Sequence, residues 1–105
     1  MSAQLMRPGR PQFASGDWCT GSGPEFKAEA LGYIAYSGAF HTNEAEQTLT
    51  HSMFVSLLPN WLGQTQPRVV RLEDDLLHLS TAAPITSGGK QTMSYLTWRR
   101  AEASS

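Results

Sequence analysis

From Tyr33 to Arg100 the apolar residues recur mainly at every second position, and very short polar turns divide the runs. This pattern constrains the fold more than any other feature. A helix would repeat its apolar face every 3.6 residues, whereas a half-buried strand repeats it every two. The alternation predicts strands over 33–42, 47–58, 66–73, 75–81 and 91–100, with a weaker one at 2–7. Three connections are short: Asn43-Glu44-Ala45-Glu46, Asp74-Asp75 and the Gly88-Gly89 loop. Parallel neighbours need long crossovers, so links this short imply antiparallel hairpins. The expected fold is all-β, an antiparallel meander of about six strands. Pro67, which has no N–H to give to a ladder, predicts a sheet edge or a bulge in its strand.

The region ahead of the meander differs. Residues 8–23 form a loop rich in Pro, Gly and Ser. A short helix follows over 24–31, introduced by Ser22-Gly23-Pro24-Glu25 and ended by Gly32. Pro24 suits the first helical position, and Glu25 complements the positive end of the helix dipole. Phe26, Ala30 and Tyr33 provide one apolar face. With 105 residues the chain is a single domain, 1–105. Its formal net charge of −1 gives no reason to expect nucleic acid or an anionic membrane as partner. No apolar run reaches the length of a membrane-spanning helix, and the N-terminus lacks a signal-peptide core, so a cytoplasmic protein is expected. A lone Cys19 excludes an internal disulfide and argues against a cysteine-based metal cage. Neither a metal nor another cofactor is expected.

Strand phase selects the interior. Leu49, Met53, Val55, Leu57, Val70, Leu72, Leu77 and Leu79 belong to the apolar phase of their strands, as do Ile34, Tyr36 and Phe40. Two polar residues share that phase, His51 and Arg68. An inward imidazole can move a proton near neutrality, and an inward guanidinium needs an anionic or carbonyl partner, which a ligand could supply. Both are therefore candidate catalytic groups. The segment Asn60-Trp61-Leu62-Gly63-Gln64-Thr65-Gln66-Pro67-Arg68 carries an aromatic ring where a strand connection is ordinarily small and polar, which suggests a pocket rim. Tyr36, Trp61, Gln66 and Trp98 are the candidate ligand-binding residues. The bland alternatives are a hydrogen-bonded core histidine at His51, a plug at Trp61 and simple packing at Trp98. His41, His51 and His78 face different ways, which argues against a three-histidine metal site. Ser87-Gly88-Gly89-Lys90 lacks the spacing of a phosphate-binding loop.

The chain resembles the lipocalin-like domain proteins of bacteria and fungi. The resemblance is carried by the opening Met-Ser-Ala-Gln-Leu-Met-Arg-Pro, Gly32-Tyr33-Ile34-Ala35-Tyr36-Ser37-Gly38, and Thr50-His51 before Pro59-Asn60-Trp61-Leu62-Gly63. It continues through Gln66, Arg68, Leu79-Ser80-Thr81 and Leu96-Thr97-Trp98-Arg99-Arg100. It implies a small barrel of the lipocalin type that holds a small, largely apolar ligand, in some members within secondary metabolism. Family members carry further strands ahead of the opening segment, which here begins at Met1. That departure predicts an open sheet edge near residues 2–7 and pairing with a second copy, hence a homodimer. Three functions are in view: binding of an apolar metabolite under the loop 8–23 and the helix; a cofactor-free isomerase, cyclase or dehydratase using His51 for proton transfer and Arg68 to stabilise an oxyanion; or a structural product, a shortened barrel that survives only by oligomerising.

Overall fold

The computed structural model describes residues 1–103. In chain order it contains β1 (Ser2–Met6), α1 (Gly23–Leu31), β2 (Tyr33–Ser37), β3 (Phe40–Asn43), β4 (Thr48–Ser52), β5 (Val55–Ser56), a single 3₁₀ turn (Pro59–Trp61), β6 (Thr65–Glu73), β7 (Leu76–Thr81), β8 (Ile85–Ser87), β9 (Lys90–Thr92) and β10 (Tyr95–Arg99). All pairings are antiparallel. The all-β antiparallel expectation therefore holds, but the strand count differs. The runs 33–42, 47–58 and 91–100 are each broken in two, and β8 was not foreseen.

The chain divides into two compact units. The first comprises Met1–Gly38 and Met53–Gln64; the second comprises Ala39–Ser52 and the chain from Thr65 onward. In the first, a three-stranded sheet runs β1-β2-β5. Its β5 is held by Phe54 N–H donating to Ser37 O at 2.9 Å and Leu57 N–H donating to Ala35 O at 2.8 Å. The helix begins with a capping box. Ser22 accepts from Glu25 N–H, and the Glu25 carboxylate accepts from Ser22 N–H. Pro24 is the second helical residue, because the helix starts at Gly23. The helix buries no residue, so its expected core-facing side is instead a flank for the preceding loop.

In the second unit a five-stranded sheet runs β10-β7-β6-β4-β3, and β8 and β9 form a separate hairpin. Gly88 and Gly89 both have positive φ, 59° and 77°, which suits the tight turn joining that hairpin. The Asp74-Asp75 turn likewise places Asp74 at φ 54°. Neither the three-stranded nor the five-stranded sheet closes on itself, since each has two unpaired outer edges. Among the described residues no helix is long and apolar enough to cross a membrane.

Each unit buries few apolar side chains. Among the described residues Tyr36 and Met53 are buried in the first unit and Leu49 in the second, and Met53 alone has no exposed surface. Val70, Leu77 and Leu79 are half-buried, as their phase predicts. Val55, Leu57, Leu72 and Phe40 are exposed, against expectation. The cause for Val55 and Leu57 is the break at Met53-Phe54: the chain leaves β4 and joins β2 through β5, so the alternation of 47–52 does not carry across. Phe40 lies beyond a comparable break at Gly38-Ala39, and Leu72 lies at the turn end of β6.

Candidate functional site

The inner face of the five-stranded sheet gathers most of the predicted polar residues. On β6, Gln66, Arg68 and Val70 are the sheltered residues, whereas Pro67, Val69 and Arg71 are exposed. Register places His51 opposite Gln66 and Leu49 opposite Arg68 across β4–β6, and Arg68 opposite Thr81 across β6–β7. Residues directly opposite share a face, so His51, Gln66, Arg68 and Thr81 form one polar cluster beside Leu49. His51 and Thr81 are buried. The Arg68 guanidinium donates to Gln66 Oε1 at 2.8 Å and to Pro67 O at 3.0 Å. Thr81 Oγ1 accepts from Ser94 N–H at 3.2 Å, which anchors the chain entering β10.

Electrostatics within this cluster favour a neutral imidazole. Burial, reinforced by the positive charge of Arg68, pushes His51 down from 6.5 to about 4. At neutral pH the cluster is therefore one guanidinium beside an uncharged ring. It can donate hydrogen bonds to a carbonyl, phenol or oxyanion. As a general base His51 is weak, because its protonated form is so disfavoured.

Trp98 shares the sheet face with this cluster but lies at its other end. It is opposite Leu77, which is opposite Leu72. Arg68 and Leu72 are four residues apart along β6, or about 14 Å at the usual strand rise. Trp98 is partly exposed and belongs to a separate row of side chains.

The remaining two candidates meet in the first unit. Tyr36 and Trp61 pack edge to face, with ring centroids 5.8 Å apart and planes at 78°. Trp61 is positioned by the 3₁₀ turn, and that turn is tied to Met53. Gly63 N–H donates to Met53 O at 2.8 Å, and Met53 N–H donates to Gln64 O at 2.9 Å. Met53 has no exposed surface. The Trp-bearing segment is thus a fixed connection built around a buried methionine.

The first unit also contains a feature that strand phase could not reveal: an open groove of about 580 Å³ between the loop 8–18, the end of β1 and α1. Arg7, Arg10, Phe13 and Trp18 are among its lining residues. The signal was present, since Trp18 is a large ring in a polar Gly-rich loop, the same oddity that singled out Trp61.

A lipocalin-like domain profile matches residues 1–101, so the chain belongs to the lipocalin-like domain family. The 4'-hydroxy-3'-methoxypropiophenone carrier protein of Aspergillus oryzae is 40% identical over 106 residues, covering 95% of this chain and 96% of that relative. No solved structure matches the chain.

Proposed function

We propose that this protein binds and carries a small, largely apolar aromatic molecule within a secondary-metabolite pathway. The observation that carries this reading is the 40% identity, over almost the whole of both chains, to a protein named as the carrier of an aromatic ketone. Two surfaces are candidate contacts, each within its own unit. The His51–Gln66–Arg68 cluster offers donors suited to a ketone or phenol oxygen, and the Tyr36–Trp61 pair offers aromatic surface. The test is calorimetric titration with 4'-hydroxy-3'-methoxypropiophenone. Saturable micromolar binding, weakened by Arg68→Ala or Trp61→Ala, supports the reading. Absence of binding at millimolar ligand overturns it.

The enzyme reading, with His51 and Arg68 as isomerase, cyclase or dehydratase groups, ranks second because His51 stays neutral far below pH 7. Two further proposals go with the carrier reading, a cytoplasmic location and a homodimer. The homodimer is supported by the outer edge of β1, Ser-Ala-Gln-Leu-Met, which carries neither charge nor proline to discourage another strand from pairing with it. Sedimentation at micromolar concentration decides it, and a monomer there ends it.

A further inference from the structure

The geometry points to a second ligand site, in the groove of the first unit, that takes a flat aromatic molecule bearing a carboxylate. It is distinct from the contacts proposed above and does not depend on them. The groove, at about 580 Å³, falls in the size range of ordinary small-molecule pockets. Its walls combine two cations, Arg7 and Arg10, with the apolar surfaces of Met6, Phe13 and Trp18. Trp18 is 82% exposed and Met6 63%, a large apolar outlay for side chains with no protein neighbour to cover them.

The charges are available to a ligand. The Arg7 guanidinium has neither ion pair nor hydrogen bond among the described residues. Arg10 lies 5.4 Å over the Tyr33 ring and makes one long bond, 3.5 Å, to the backbone oxygen of Glu29. Among the described residues no carboxylate forms an ion pair with either arginine. Asp17, which also lines the groove, is engaged by its own loop, accepting from Cys19 N–H and Thr20 Oγ1 at 2.9 Å each. Those bonds keep the Asp17 carboxylate charged, so with Glu29 the lining sets two anions against the two arginines, the Asp17 oxygens being turned to their own loop. Planar guanidinium forks suit a carboxylate, and an indole suits a flat ring.

The groove is also preformed, which keeps the ordering cost of binding low. The Glu25 carboxylate accepts from Ala14 N–H at 2.8 Å as well as from Ser22 N–H at 2.9 Å, pinning the loop to the start of α1. Phe13 packs edge to face on Phe26 at 5.2 Å and fills the space where a Cβ on Gly21 would stand. The stem of Arg10 crosses Gly32, where any Cβ would collide with its Cδ.

The test uses 2-naphthoate as probe, with uncharged 2-naphthalenemethanol and ring-free acetate as controls. Binding is read by calorimetry and by the indole N–H resonance of Trp18. We expect saturable binding of 2-naphthoate that shifts this resonance. Arg7→Gln and Trp18→Ala should each weaken it about tenfold or more, as loss of a charge-assisted contact or a stacking surface would. Trp18→Phe should retain most of the affinity. Both positions are exposed, so the variants should keep the wild-type circular dichroism spectrum. The inference is overturned if 2-naphthoate does not saturate by millimolar concentration, if either control binds as tightly, or if Arg7→Gln and Trp18→Ala leave its affinity unchanged.

Discussion

The inner face of the five-stranded sheet and the braced loop ahead of α1 each carry a titratable group held below its ordinary range, for opposite reasons. His51 is lowered because burial next to Arg68 penalises its charged form. Glu25 is lowered because the N–H groups of Ser22 and Ala14 stabilise its charged form in full view of solvent. One region excludes a charge; the other uses one as a clasp. The lesson is that the sheet organises polar groups by shelter, whereas the loop organises them by hydrogen bonds that water can compete for. The sheet should therefore tolerate truncation badly and the loop should tolerate it well.

The sharpest test of that contrast is truncation of the sheltered side. Leu49→Ala should cost about 2–5 kcal/mol in urea unfolding, since it opens a cavity against Arg68 and Thr42. A loss under about 1 kcal/mol would show that the sheet face is not a packed core.

Next in size is the acid response of His51. The unfolded chain takes up this proton near pH 6.5 and the folded chain only near 4. Stability from the neutral ring is complete above pH 6.5 and is lost as the pH falls toward 4. The slope should approach about 1.4 kcal/mol per pH unit between those values. His51→Gln should flatten it, and an unchanged slope would place the titration elsewhere.

On the loop side, Ser22→Ala removes the N-cap and should cost about 1 kcal/mol. Glu25→Gln should chiefly speed proteolysis within residues 8–21, leaving the unfolding of the sheet untouched. The clasp is complete above the ordinary carboxyl range near 4.5 and loosens as the pH falls below it. If Glu25→Gln destabilised the whole chain as much as Leu49→Ala, the contrast would fail. The smallest effect is expected at Arg71, whose 2.8 Å pair with Glu73 is exposed at both ends. Arg71→Ala should leave the melting temperature essentially unchanged.

Much of this arrangement was legible in the residues. Alternation located β2, β4, β6, β7 and β10, and turn chemistry located the bends at Asp74 and Gly88-Gly89. Phase alone puts Arg68 and Val70 with Leu49 and His51 on the inward face; it puts Leu72 there too, which the turn end of β6 leaves exposed. Alternation could not report a change of partner: the breaks at Gly38-Ala39 and Met53-Phe54 are set by pairing with distant strands, so Phe40, Val55 and Leu57 were placed inside in error. The strand β8 escapes alternation because its three residues, Ile85, Thr86 and Ser87, are too few to show an apolar face. Trp98 has the same phase as Arg68, but the row it occupies depends on register, which phase does not contain. The groove stayed hidden because its brace is a meeting of Glu25 with Ala14 and of Phe13 with Gly21, and spacing alone does not announce such contacts.

The interleaving of the two units bears on how the chain can be made. The strand that completes the first sheet is β5, at Val55–Ser56, yet the β3–β4 hairpin of the second sheet lies between it and β2. A ribosome releasing the chain from its N-terminus must deliver that hairpin before the first sheet can finish, and must deliver β6 before the hairpin gains its neighbour. Neither unit can be excised as one uninterrupted stretch, so a cut at any single peptide bond between Gly38 and Thr65 leaves at least one of them in two pieces.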